Sequence, residues 1–340
     1  MDKKIKSGIA DAYKNYFNIG AAINPELLSF GSELIRTEFN SITCENEMKF
    51  SSVHPTPGKY TFDRADTVFN FALSNNMKMR GHTLVWHNQT GSWLFENDNG
   101  EKLGKTDKEI LYSRMKEHIH MVVKRYAGKV YCWDVVNEAI SDSDSENEYL
   151  RTDSPYYQIS ESEEYIEKAF AYAHEADSDA LLFYNDYSTE VPAKREKIYR
   201  LLKSLINKGV PVHGIGLQAH YNICCDVNEL RKSIDLFSSL GLTVQITELD
   251  ISVYKPDERG MSFSEPPADR INSQTELYGE IFALLREKKD KISGVTFWGL
   301  TDNTSWLNTF PEKRNDYPLL FDANQKPKEA YGKVVDFAGK

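Results

Sequence analysis

The sequence predicts an α/β fold, a closed (β/α)8 barrel of the TIM type, with residues 1–340 forming a single domain. Three observations carry this reading. Eight short runs of β-forming residues alternate with longer stretches whose apolar residues recur at helical spacing. The strand runs are apolar through their centres, which suits a parallel barrel wrapped by helices. No Gly-rich phosphate turn follows an early strand, so the main sign of an open doubly wound sheet is missing. No Pro- or Ser-rich linker divides the 340 residues, a length that one such barrel accommodates.

The strands are expected at 17–22, 41–44, 78–84, 129–136, 180–185, 212–218, 243–247 and 293–298. A helix at 25–39 follows the first strand. The second, at 62–75, puts Phe62, Ala65, Val68, Phe69 and Ala72 on one stripe. The third, at 106–126, opens with Thr106 as a cap and Glu109 three residues on. Helices at 160–176, 193–208, 227–240 and 272–289 read likewise, and 328–337 completes the set.

Forty per cent of residues are apolar and 27% are charged, ample for a sizeable core. The formal net charge of −10 opposes nucleic acid and anionic membranes as partners, and no basic cluster reverses it locally. A monomer is the default expectation. Residues 1–8 contain lysines but no apolar run behind them, so they do not read as a secretory signal. No apolar stretch nears the roughly 20 residues that span a bilayer. Cys44, Cys132, Cys224 and Cys225 form neither a disulfide framework nor a C-x-x-C metal site. A cytoplasmic location is the expectation, removal of a leader being the alternative.

Barrels of this kind build their active sites at the carboxyl ends of the strands. Here those ends carry Glu45-Asn46-Glu47-Met48-Lys49 after the second strand and His82, Trp86, His87 and Gln89 at the third. Asn137-Glu138 closes the fourth, Tyr184-Asn185-Asp186-Tyr187 the fifth and Gln218-Ala219-His220 the sixth. Glu248-Leu249-Asp250 closes the seventh, and Trp298 with Trp306 the eighth. Polarity returns at any strand end, but carboxylates, amides, imidazoles and indoles converging from seven strands on one rim go beyond that.

Glu138 and Glu248 stand out because cleavage of a sugar chain needs two carboxyl groups. One protonates the leaving oxygen; the other attacks the anomeric carbon or activates water. A separation of about 5–5.5 Å favours attack with retention, and about 6.5–9.5 Å favours inversion. Asp250 lies two residues beyond Glu248, on the same side of a strand. His220, one strand over, is placed to donate to Glu248 and bridge to Asp250, which favours a charged carboxylate. Glu138 beside Trp86 suggests a drier site and a raised pKa, suited to an acid. Trp86, Trp298, Trp306 and Tyr187 offer faces for flat sugar C–H surfaces. Glu45, Asn46, Lys49, His82, His87, Gln89, Asn137 and Gln218 offer hydrogen bonds at the edges. Trp133, mid-strand, reads as core.

These stretches, together with Arg80-Gly81-His82-Thr83-Leu84-Val85-Trp86-His87, Trp133-Asp134-Val135-Val136-Asn137-Glu138 and Phe297-Trp298-Gly299, resemble the glycoside hydrolase family 10 endo-β-1,4-xylanases over about 17–337. The resemblance implies Glu138 as acid/base, Glu248 as nucleophile, and His220 and Asp250 as residues that tune it. It implies that Asn137 contacts the 2-hydroxyl beside the cleaved bond. Glu45, Asn46, Lys49, His82, Trp86, Gln89, Trp298 and Trp306 match the non-reducing-side face. Tyr187 matches a reducing-side platform, and His87 and Gln218 match polar residues near the cleaved bond. It implies retention through a glycosyl-enzyme intermediate, without metal or cofactor.

Two departures are visible: Phe50 where that family often has Trp, and Ser188 where Asn is frequent. The acidic stretch 142–148 lacks the spacing of a calcium loop and reads as solvated. An intracellular enzyme acting on short xylo-oligosaccharides is the expectation. Action on another β-1,4-glycan, a zinc hydrolase using the rim histidines, and a non-catalytic sugar binder are the rival readings.

Overall fold

The structure, a computed structural model, describes residues 8–143, 145 and 148–337. Residues 1–7, read above for a leader, and Asp144, Glu146 and Asn147 of the acidic stretch lie outside the described residues. The strands are β1 (Asn18–Ile23), β2 (Ser41–Cys44), β3 (Lys78–Trp86), β4 (Val130–Asn137), β5 (Leu181–Asp186), β6 (Gly214–Leu217), β7 (His220–Asn222), β8 (Thr243–Ser252) and β9 (Ile292–Phe297). All pairings are parallel. β1 joins β2 and β9, and pairing of β6 with β8 (Gly214 with Thr243) closes the barrel.

Eight of these strands are the barrel that the alternating pattern predicts. The ninth, β7, was not expected. β6 ends at Leu217, and Ala219 takes a left-handed φ of 64°. The chain then resumes at His220 against the far end of β8, with His220 opposite Asp250.

The helices that follow the barrel strands are α1 (Pro25–Glu38), α2 (Asp63–Ser74), α3 (Lys108–Arg125), α4 (Glu164–Ala176), α5 (Pro192–Asn207), α6 (Val227–Ser238), α7 (Ala268–Glu287) and α8 (Glu329–Val335). α1 starts where Asn24 accepts from Leu27 N (2.9 Å) and Pro25 occupies the first turn. Asp226 caps α6 in the same way, accepting from Asn228 N.

Three helix expectations are corrected. α3 is not capped by Thr106: a 3₁₀ turn, Lys105–Asp107, precedes it, and Asp107 accepts from Gly104 N (2.8 Å). The helix expected at 160–176 begins later, as α4 at Glu164, because a separate short helix, Pro155–Ser160, ends where Glu161 takes a left-handed φ of 52°. α7 begins at Ala268, four residues before the expected start, directly after Pro267.

Trp133 is fully buried, as expected of a core residue. Gly81 on the neighbouring strand makes room for it: a Cβ there would lie 2.1 Å from the indole. Inside the barrel, Arg80 pairs with Asp134, and its Nε donates to Gln245 (2.9 Å) from β3 to β8. All three are buried. A charge so placed needs such partners, because an unpaired one costs several kcal/mol. This polar layer lies beneath the strand ends that carry the candidate site.

Candidate active site

Glu138 is the first residue after β4, with a left-handed φ of 57°. Such backbone is rare outside glycine and persists only when neighbours over-determine it. Here Glu138 N donates to Asn185 O (2.9 Å), and Arg151 Nε donates to Glu138 O (3.1 Å). The side chain accepts from Trp86 Nε1 (2.7 Å) and Gln218 Nε2 (2.9 Å). Burial pushes its pKa up, and the charges of Asp186 and Glu248 add to that. The Gln218 and Trp86 hydrogen bonds pull the other way without prevailing. Trp86 therefore dries the carboxyl but, as a donor, does not itself raise its pKa.

Glu248, in β8, is buried. His220 bridges it to Asp250: Nε2 lies 3.2 Å from Glu248 Oε2, and Nδ1 lies 3.0 Å from Asp250 Oδ2. Trp306 Nε1 also donates to Asp250 Oδ2 (2.8 Å), and its ring lies 4.8 Å from that of His220. Burial alone would lower the His220 pKa, but the two carboxylates raise it to about 10. Burial likewise pushes Glu248 up. The His220 hydrogen bond, attraction from His82 and His220, and a hydrogen bond from Asn185 outweigh it and hold Glu248 at about 2. At neutral pH the bridge is an imidazolium between two carboxylates.

Asn185 joins the two halves and was not singled out in the sequence. Its Nδ2 donates to Glu248 Oε1 (2.7 Å) and Asn137 Oδ1 (2.9 Å), and its Oδ1 accepts from Thr247 (2.6 Å). Gln218 Nε2 donates to Asn137 Oδ1 (3.1 Å) as well as to Glu138. Four side-chain hydrogen bonds thus run from Glu138 through Gln218, Asn137 and Asn185 to Glu248. Gly216 makes this possible, because a Cβ there would meet Asn185 Oδ1 at 2.1 Å. Asp134 was likewise missed: it accepts from Arg80 and lies 2.8 Å from His82 Nδ1, fixing that ring. Their shared sign was position alone: Asn185 and Asp134 are polar residues inside otherwise apolar strands.

On the β1–β3 side, Lys49 Nζ donates to Asn46 Oδ1 (2.9 Å) and lies 5.0 Å and 5.9 Å from the Trp86 and Trp298 rings. Burial lowers its pKa against the opposing pull of Glu248, Glu45, Glu138 and Glu47. Gln89 donates to Asn46 (3.3 Å), and Glu45 accepts from Asn24 (2.9 Å). Trp298 stands edge-on to both His82 and His220. Phe50 is buried and stacks on His118, with ring centroids 3.8 Å apart.

On the β4–β5 side, Tyr187 donates to Asp142, accepts from Arg151 (2.8 Å), and has Lys194 Nζ 3.2 Å above its ring. Ser188 beside it is left-handed, with φ 51°. His87 feels Arg151, Asp153, Asp142 and Lys194, so it belongs to this network and makes no bond to either glutamate. Burial, with Arg151 next, lowers its pKa to about 4. Among the described residues no three His, Cys, Asp or Glu side chains form a metal-binding group, and no helix is long and apolar enough to cross a membrane.

Comparison with known proteins gives one consistent result. The family model described as Glycosyl hydrolase family 10 matches residues 8–337. A β-1,4-xylanase of Dictyoglomus thermophilum is 49% identical over 331 residues, 97% of this chain and 90% of its own. An endo-1,4-β-xylanase of Geobacillus stearothermophilus is 46% identical, over 96% of this chain and 98% of its own. The crystal structure of a xylanase from Paenibacillus barcinonensis, complexed with a conduramine derivative, superposes with a TM-score of 0.93. It is 42% identical, and the match covers 98% of this chain and 99% of that one.

Proposed function

The chain belongs to glycosyl hydrolase family 10 and is an endo-1,4-β-xylanase, and from that premise we propose a double displacement carried by Glu248 and Glu138. In the first step a Glu248 carboxylate oxygen attacks the anomeric carbon of xylan or a xylo-oligosaccharide. The bond to the leaving sugar breaks, and the Glu138 proton passes to the departing oxygen. In the second step Glu138, now a carboxylate, takes a proton from water. That water attacks the same carbon and frees Glu248, so configuration is retained.

One observation supports this division of labour above the others. Two carboxyl groups joined through a single amide chain are driven in opposite directions, Glu138 up and Glu248 down to about 2. Opposed pKa values on paired carboxyls mark an acid and a charged nucleophile. In this reading Asn137 meets the 2-hydroxyl beside the cleaved bond. Lys49, Asn46, Glu45, His82, Gln89, Trp86, Trp298 and Trp306 hold the non-reducing side. Tyr187 faces the leaving sugar, since it shares the Arg151 network with Glu138.

Proton NMR of the first-formed product tests the mechanism. The β-anomer is expected before mutarotation; the α-anomer would refute retention. Glu248→Ala is expected to lose nearly all turnover, and wild-type rate in that variant would refute the nucleophile assignment.

A further inference from the structure

Strand β5 serves the two glutamates from opposite faces. Asn185 reaches across the barrel to Glu248. Tyr184 and Asp186, one residue to either side, fall on the other face, as strand alternation requires. Both are fully buried. A carboxylate buried this deeply is costly unless its surroundings hold it, and the mechanism above gives Asp186 no task.

Its partners define one. The Tyr184 hydroxyl donates to Asp186 Oδ2 and accepts from the N–H of Ala139 (3.0 Å), the residue directly after Glu138. Ala139 O in turn accepts from Arg151 N (2.8 Å). Oδ1 of Asp186 accepts from Tyr187 N (2.9 Å) and pairs with Lys194 Nζ of α5 (3.0 Å). Lys194 runs on to Asp142 (2.7 Å). One carboxylate therefore holds the main chain just beyond the left-handed Glu138 and the main chain of Tyr187 together. Among the described residues its side-chain oxygens meet three donors, so a proton on Asp186 would face groups that already carry their own. Burial pushes its pKa up, while Lys194, Tyr184 and Tyr187 N favour the charged form.

We propose that Asp186, acting through Tyr184, is a positioning residue for the acid. It fixes the turn that aims Glu138 and seats Tyr187 in register with it, so that the proton meets the departing oxygen of the sugar on that platform. The inference rests on the reading of Glu138 as acid/base.

Its charge has a further consequence. Asp186 opposes ionisation of Glu138, as Glu248 does. Lys49 faces Glu138 with the opposite sign, and Arg151 binds its carbonyl. Around Asp186 stand Lys194, Tyr184 and, from α4, Tyr165. Asp186→Asn keeps all of these and removes one negative charge, so Glu138 should lose its proton at lower pH.

The test compares kcat/KM for xylotetraose, whose leaving sugar needs a proton, with that for an aryl xylobioside whose good leaving group needs little. The ratio is taken within each enzyme form, so that partial loss of folded protein cancels. Asp186→Asn and Tyr184→Phe are each expected to lower it by about tenfold or more, part of the roughly 10²–10⁴-fold that a general acid supplies. Asp186→Asn is also expected to move the alkaline limb of kcat/KM on xylotetraose down by about half a unit or more. Tyr184→Phe keeps the charge and should leave that limb in place. A wild-type ratio in either variant, or an alkaline limb in Asp186→Asn that coincides with wild type, would overturn the proposal. Glu138→Ala is the reference. If it lowers the ratio and the two variants do not, the positioning role alone falls. If it does not lower the ratio, the acid assignment falls and the positioning role with it.

Discussion

Replacing His220 with Ala is the sharpest perturbation of the site. Glu248 is held at about 2, some two units below an ordinary glutamate near 4.3. At about 1.4 kcal/mol per unit, the surroundings favour its charged form by about 3 kcal/mol. Burial opposes that preference, and His220 supplies the largest compensating hydrogen bond. Without the imidazolium, burial is expected to prevail over the remaining His82 attraction and Asn185 hydrogen bond, so the Glu248 pKa is expected to rise past 4.3. The assay is kcat/KM against pH on an aryl xylobioside, whose leaving group needs little help from Glu138. The acid limb should move upward by at least two units. An acid limb in His220→Ala that coincides with wild type would refute the reasoning.

The same substitution makes a stability prediction whose sign can be worked through. His220 has a raised pKa in the folded state, so its contribution is complete below about 6.5 and is lost as pH rises through about 10. Glu248 has a depressed one, so its contribution is complete above about 4.3 and is lost as pH falls through about 2. Between about pH 4.3 and 6.5 wild type keeps both. The variant instead leaves Glu248 buried without the imidazolium, so its carboxylate gains a proton more readily folded than unfolded. Its deficit in Tm relative to wild type should therefore shrink from pH 6 to pH 5, where the wild-type His220 contribution is already complete. A deficit that grows over that interval would contradict the picture.

Three further substitutions probe other parts of the site. Glu138→Ala should cost about 10²–10⁴-fold on xylan and far less on aryl glycosides with good leaving groups, as steady-state rates on both will show. Gly216→Ala puts a methyl group 2.1 Å from Asn185 Oδ1; thermal unfolding should show a loss of about 1–3 kcal/mol, with kcat falling as Asn185 is displaced. Arg80→Met leaves Asp134 buried without its guanidinium, and denaturant unfolding should show about 3–5 kcal/mol lost.

The barrel was legible because its signal is periodic. Apolar runs such as those of β2 and β8 and the stripe Ala65, Val68, Phe69 and Ala72 of α2 are repeated around the fold, and buried as the spacing requires. The rim was legible because Glu138, Glu248, His220 and Trp306 are costly residues at strand ends. What escaped is set by partners distant in sequence. Asn185 and Thr247 are 62 residues apart, and Arg80 and Gln245 are 165 apart. Nothing local says that an amide inside a strand serves two other strands. The same holds for β7, which exists because Ala219 turns left-handed. Likewise Ser160 and Ser162, bonding each other's carbonyls, delay α4 to Glu164, past its expected start at residue 160.

The left-handed residues Gln89, Glu138, Ser188 and Ala219 all lie just past the ends of barrel strands. Each such position costs of order 1 kcal/mol or more, so something must hold it. The answer lies in the backbone at the rim. Glu138 N donates to Asn185 O (2.9 Å), Gln218 N to Asp186 O (3.0 Å), and Glu248 N to Gln218 O (2.9 Å). Each strand end is thus fastened to the next, from β4 through β5 and β6 to β8, by main-chain bonds that no side-chain substitution removes. The spacing of the two glutamates is in this sense a property of the barrel's closure. The amide chain of Gln218, Asn137 and Asn185 then sets only the direction in which each carboxyl points. This arrangement explains how the site tolerates strained backbone beside both reacting groups. A side chain at the rim can be exchanged to change what binds, while the distance across which the chemistry runs stays with the fold.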